Sequence, residues 1–189
     1  MPRAYRPHLL GIDDGPFEKR PGAMVPIVGV MMEGAHTVEA VAVTEFAVDG
    51  DDVTGFLRDW VKGMRFVAAL QGVVLGGITI AGLSVVDVDS LSNGLGLPVL
   101  IVNRHDPVSN RVADALAAAG LEDRKALIDR SPVAVGLDKG LFLACAGIPD
   151  EEAARMVRAT QTKSLIPEPL RIAHLIGRAM VSGESRGRA

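Results

Sequence analysis

A chain of 189 residues, 48% apolar and 23% charged, has ordinary globular composition, and at that size folding buries about 70% of the unfolded surface. Aromatic residues make up only 4%, so the core draws on Val, Leu, Ile, Ala and Met, and a platform of stacked aromatics for single-stranded bases is disfavoured. The net charge of −3 excludes a uniformly basic nucleic-acid binder, and the single Cys145 excludes an internal disulfide or a cysteine-built zinc cage.

The opening residues, MPRAYRPHLLGIDDG, show neither a long apolar stretch nor a small-residue cleavage site. No apolar run reaches the ~20 residues of a membrane span. A cytoplasmic location without membrane contact is the expectation. Residues 8–13 (HLLGID) form an apolar run that ends in the turn-like DDGP. Residues 24–32 (MVPIVGVMM) follow a Pro-Gly break. Residues 37–48 set Val38, Ala40 and Ala42 against Thr37, Glu39 and Val41, the period of a half-buried strand. EGAH between the last two reads as a hairpin turn.

The period then changes. Val53, Leu57, Trp60, Met64 and Val67 recur at spacings of three and four, which predicts an amphipathic helix over 53–70 with Asp51 or Asp52 as its N-cap. Residues 72–82 read as a strand entering a glycine-rich turn, and 85–96 as a short helix closed by glycines. A buried strand follows at 98–102, then a helix over 107–119 stopped by Gly120, a strand at 141–147 and a helix over 149–160. The last helix begins near Pro167, with Pro169 in its first turn. A meander followed by strand–helix alternation predicts one α/β domain over 1–189, a mixed sheet with helices on its faces and frayed ends at 1–7 and 183–189.

GIDDGPF is the sharpest local feature, because two adjacent carboxylates at the end of an apolar strand are costly unless solvated, bonded or metal-bound. Neighbouring strand residues point to opposite faces, so Asp13 is the inner candidate, while Asp14 could cap the turn. VDGDD supplies Asp49, which could approach Asp13 if their strands are neighbours; Asp51 and Asp52 fit a capped loop. Magnesium needs several converging oxygens, and two-metal nucleases take carboxylates from different strands. The segment DVDSLSNG fails as a calcium loop at Leu91 and Pro98, and neither a phosphate loop nor a dinucleotide fingerprint is present.

Charge is unevenly spread. Residues 153–189 hold seven Arg or Lys against Glu168 and Glu184. In the last helix Arg171, His174 and Arg178 fall on one stripe beside an apolar face of Ile172, Leu175, Ile176 and Ala179. The stripe suits phosphate contact, or a plain solvated surface. His8, His36 and His105 have no ligand spacing, and Cys145 in LFLACAG reads as a small core residue.

Taken in order, GIDDGPF, VDGDD, GGITIAGLSVVD, GLPVLIV and IPEPLRIAHLIGR resemble one family, the archaeal and bacterial proteins grouped as domain of unknown function ninety-nine, relatives of endonuclease V. The resemblance runs over residues 10–178 and implies a ribonuclease H-like (endonuclease V-like) fold: a mixed sheet with three antiparallel strands first and helices on both faces. Endonuclease V cuts DNA or RNA near deaminated bases, with magnesium held by three separated acids. Its first acid corresponds to Asp13 in Gly11-Ile12-Asp13, whereas its later acid falls on VVLGGIT, where Gly76 occupies the expected Asp position. Its middle Glu has no clean counterpart, and Asp49 is the nearest acid. The resemblance therefore implies a nuclease with a rearranged site, Asp13, Asp14 and Asp49 being catalytic and Asp13, Asp49 and Asp87 holding magnesium or manganese. Arg171, His174 and Arg178 would contact DNA or RNA. The alternatives are a catalytically inactive nucleic-acid-binding protein on the same fold, and an oligomeric scaffold or small-molecule protein.

Overall fold

Residues 5–20, 22–104, 111–138 and 140–185 are described by the computed structural model of the chain. Three strands open it as an antiparallel meander: β1 (His8–Asp14), β2 (Met24–Glu33) and β3 (Thr37–Ala47). There follow α1 (Val53–Lys62), β4 (Gly72–Leu75), the small hairpin β5 (Thr79–Ile80) and β6 (Ser84–Val85), α2 (Val88–Leu95) and β7 (Val99–Asn103). The rest comprises α3 (Arg111–Ala119), α4 (Lys125–Asp129), β8 (Val135–Asp138), β9 (Leu141–Ala146), α5 (Asp150–Ala159) and α6 (Glu168–Ser182). Seven strands make one mixed sheet in the order β3-β2-β1-β4-β7-β9-β8, with β1, β4 and β7 parallel at its centre.

Alternation along β1 sends side chains into two cores. Leu10 and Ile12 pack with Leu57 and Val61 of α1 and with Val88 and Leu91 of α2. On the opposite face Leu9 joins Val74, Leu100, Val157 of α5 and Leu170 of α6. Each fully buried Leu, Ile or Val contributes roughly 1.5–3 kcal/mol, so β1 is clamped from both sides. The helices lie on both faces, as the resemblance implied.

Glycines set how closely α6 approaches this sheet. A Cβ on Gly11 would lie 2.2 Å from the Leu170 backbone nitrogen, so the first turn of α6 rests directly on β1. Two turns later a Cβ on Gly177 would lie 3.2 Å from the Cα of Gly15. The face of α6 turned to the sheet is Leu170, Ala173 and Gly177, with Ile172 and Ile176 only partly buried beside it. Ile172 and Ile176 of the expected apolar face pack against Val28, Val30 and Met32; Leu170, Ala173 and Gly177 complete the sheet-facing side, and His174, next to Ala173, lies towards the end of β1.

Other differences have local causes. The helix expected over 53–70 ends at Lys62, where the Gly63 N–H bonds back to the Asp59 carbonyl; only a 3₁₀ turn at Val67–Ala69 follows. Asp52 is its N-cap, accepting from the Gly55 N–H at 2.9 Å. The helix expected over 107–119 is seen as Arg111–Ala119, ending before Gly120 at φ +71°; residues 107–110 lie outside the described residues, as does His105. Most of the expected frayed ends, residues 1–4 and 186–189, lie outside them too. Cys145 is half-buried, its thiol donating to Asp150 Oδ1 at 3.3 Å; burial and then Asp150 push it up to about 12, so it stays a thiol. No helix among the described residues is long and apolar enough to cross a membrane.

Candidate active site

The carboxyl ends of the parallel strands β1, β4 and β7 meet beside α6. Ile12 pairs with Leu75 and Leu75 with Ile101, so Asp13, Gly76 and Val102 follow at one level. A cleft of about 310 Å³ opens here, with Asp13, Gly76, Asn103, Arg104, Arg171 and His174 on its polar side and Val102, Ile166 and Leu170 as its apolar wall. The carboxyl ends of parallel strands are the usual place for a ligand in an open α/β sheet.

Asp13 and His174 form a pair in this cleft, Oδ2 to Nδ1 at 2.7 Å, with side chains 23% and 30% exposed. An ionised carboxylate only accepts, so His174 donates through Nδ1 and its Nε2 is left to exchange a proton. The bond to Asp13 raises the imidazole above its ordinary value of 6.5, against the effect of burial and of Arg178. Arg178 is exposed and lies outside the cleft lining.

Arg171 is held from behind. Its Nε and Nη2 donate to Glu168 Oε2 at 2.9 and 2.6 Å, and the Thr162 hydroxyl donates to the other oxygen. The Glu168 side chain is 5% exposed. Burial works against its charge, but the bonds from Arg171 and Thr162 outweigh it and hold the carboxyl below the usual range.

The remaining candidate acids are engaged elsewhere. Asp14 does not cap its own turn; its Oδ2 accepts from the Ala81 N–H at 2.6 Å, on the α1 side of the sheet. Burial, and then the charge of Asp13, push Asp14 up to about 6. Asp49, at φ +56°, accepts from the Leu83 N–H at 2.7 Å, donates its own N–H to the Ala81 carbonyl, and its carbonyl accepts from Arg124. Asp87 caps α2 through the Ser90 N–H and pairs with Arg130 at 2.6 Å. Burial opposes its charge, yet the Ser90 and Arg130 bonds prevail and its pKa is lowered. It lines a second groove with Asp51, Asp52, Arg124 and Arg130. The structure thus brings Asp13, His174 and Arg171 together and brings neither Asp49 nor Asp87 to them. Among the described residues no three His, Cys, Asp or Glu side chains converge as a metal cage requires.

Gly76 stands beside Asp13. A Cβ there would lie 4.0 Å from Asp13 Oδ1 and 3.8 Å from Leu170 Cδ2, ordinary contacts. Asn103 and Glu168 escaped the sequence reading. Glu168 precedes Arg171 by three, a helical spacing that signals the pair; Asn103 ends a buried strand, where position alone was the signal.

Residues 6–181 match the family model described as Endonuclease dU. The chain belongs to the endonuclease dU family. The chain is 39% identical to a UPF0215 protein of Methanothermobacter thermautotrophicus over 96% of its length and 91% of the relative's. It is 38% identical to the UPF0215 protein of Pyrococcus furiosus, covering 94% and 93%. A solved protein of unknown function from Archaeoglobus fulgidus superposes with a TM-score of 0.83 at 28% identity, covering 93% and 98%. Endonuclease V of Ciona intestinalis, solved with a DNA 24mer containing an inosine followed by a ribo-adenosine, superposes with a TM-score of 0.59 at 14% identity, covering 94% and 87%. The chain shares the endonuclease V fold, the ribonuclease H-like mixed sheet that the resemblance implied.

Proposed function

We propose that this protein is an endonuclease that cuts nucleic acid at a deaminated nucleotide, deoxyuridine in DNA being the first substrate to test. The observation that carries it is the Asp13–His174 pair at the carboxyl end of β1, in a cleft rimmed by Arg171. Family membership and the endonuclease V fold support it. His174 Nε2 takes the proton from water as its oxygen attacks phosphorus; the phosphorus–oxygen bond to the leaving strand breaks and the departing oxygen takes up a proton from solvent. Asp13 holds the imidazole in the tautomer that can accept, as a carboxylate behind a histidine does in hydrolytic triads. Arg171, pre-set by Glu168, faces the phosphate charge.

Magnesium or manganese is the ion the resemblance implies, but the described residues offer Asp13 without two converging partners and do not fit a three-acid cage. The chemistry assigned here is therefore carried by the chain's own side chains. In a nicking assay on a deoxyuridine-containing duplex, with and without magnesium, Asp13→Asn is expected to lower the rate about 100-fold or more. Equal nicking by wild type and Asp13→Asn contradicts the reading.

Gly76 favours a second reading, a nucleic-acid-binding protein that does not cut. It predicts salt-sensitive binding that survives Asp13→Asn, weakens with Arg171→Ala, and is accompanied by no nicking.

A further inference from the structure

We propose that β3 is a dimerisation edge, where a second copy of this chain adds its own β3 antiparallel and extends the sheet. The face that calls for a partner is apolar and continuous with the core. Val28, Val30 and Met32 of β2 are buried under α6, packed with Ala173, Ile172 and Ile176. Their cross-strand neighbours on β3 are Val43, Val41 and Val38, which point to the same face. α6 packs on β1 and β2, and these three valines are 47, 48 and 46% exposed. A bulge creates the row. The register slips by one residue between Met31 and Met32, so Glu39 is left unpaired and Val38 returns to the side of Val41. A single exposed valine is ordinary, whereas three in a row beside the flank of Ile172 and Ile176 form a patch.

The occupant is a strand, because β3 ends the sheet and offers its outward backbone N–H and C=O groups to one. A second copy fits in composition, in register and in area. β3 carries no Lys, Arg or Pro, the residues that commonly block edge pairing, and its bulge leaves 40–47 regular. A two-fold axis at Ala42 sets Val41 against the partner's Val43 and Val43 against the partner's Val41, so the valines meet each other. The like charges it brings together are Glu45 and the partner's Glu39. Glu39 stands at the bulge with its carboxylate drawn back to His8 Nε2 at 3.1 Å, which relieves that meeting. An edge of 11 residues is about 37 Å long. With one sheet layer and one helix layer of about 10 Å each, the face offers roughly 750 Å² per copy, close to the ~800 Å² of a standard interface. The axis runs perpendicular to the sheet and keeps α6 of both copies on one side. The cleft opens on the flank of α6 away from β3, at the ends of β4 and β7, so both clefts stay open and face the same way.

The test is sedimentation velocity of the whole chain from about 1 to 100 µM, a range suited to an interface of this size. Wild type is expected to pass from monomer to dimer within it. Val41→Lys is expected to weaken the dimer about 100-fold or more, since an isologous contact carries each substitution twice. Val43→Lys should do the same, and Val135→Lys on the opposite edge strand β8 should leave dimerisation unchanged. Circular dichroism matching wild type identifies the folded variants, and either β3 variant alone decides the question. Wild type that stays monomeric at the highest concentration overturns the second copy as occupant and leaves the face to a different chain. A dimer that survives both β3 substitutions, or one dissolved by Val135→Lys alone, overturns the edge assignment.

Discussion

A Cβ on Gly76 would lie 4.0 Å from Oδ1 of Asp13, at the ends of two strands paired in parallel. A carboxylate side chain at position 76 would therefore stand beside Asp13 with no change of backbone. Gly76→Asp should place two carboxylates side by side without strain. Calorimetric titration with magnesium or manganese is expected to show affinity raised about tenfold or more over wild type, since charge count sets the affinity of hard-cation sites. Unchanged affinity would mean that the strand ends are not held as described.

Gly11 governs the distance between α6 and β1. Gly11→Ala drives a methyl group to 2.2 Å from a backbone nitrogen that cannot swing aside. The expected cost is about 3 kcal/mol or more, a fall in Tm of roughly 6–12 °C for a chain of this size. Gly76→Ala, whose methyl meets atoms at 3.8 Å and beyond, is the control, with a change within about 0.5 kcal/mol. Similar melting of the two variants would show that α6 does not rest directly on β1.

Asp14 gives stability a pH dependence of definite sign. Its folded value of about 6 lies above the ordinary 3.8 of the unfolded chain. The native state therefore binds the proton more tightly, and its contribution is complete below 3.8 and lost as pH rises through about 6. Asp14→Asn keeps an acceptor for the Ala81 N–H without the buried charge. In urea denaturation it should match wild type near pH 4 and exceed it by about 1–2 kcal/mol at pH 7.5, allowing for partial solvation. The same difference at both pH values would refute the burial penalty.

His174 titrates in the opposite sense. Its folded value lies above 6.5, so the stability it adds is present below 6.5 and lost as pH rises through the raised value. An NMR titration of its ring protons should show a midpoint above 6.5 in wild type and a lower one in Asp13→Asn, where the Asp13 bond and charge no longer offset burial and Arg178 and only the charge of Asp14 acts upward. A midpoint indifferent to that substitution would show that the pair does not form in solution.

Period and punctuation made much of this legible in advance. Alternation in HLLGIDD separates Asp13 from Asp14, and the structure puts them on opposite faces. Glycines and prolines marked the turns and the start of α6. The edge strand β8 carries no such signal, because VGLD is mostly exposed and does not alternate. The helix at 53–70 was overextended because Met64 and Val67 keep a helical spacing beyond the cap at Gly63. Sequence could not show that Asp49 and Asp87 are occupied by backbone N–H groups and arginines, since whether a carboxylate is occupied depends on distant partners. The partner of Asp13 is 161 positions away, and only the close packing of α6 on Gly11 brings it there.

If Asp13 and His174 act as one unit on the scissile bond, as proposed, a double-mutant cycle on the nicking rate reveals it. Each single variant, Asp13→Asn and His174→Ala, is expected to lose about 100-fold or more, and the double variant should be little slower than the worse single one. Losses that multiply in the double variant, or singles that nick deoxyuridine DNA at the wild-type rate, would contradict it.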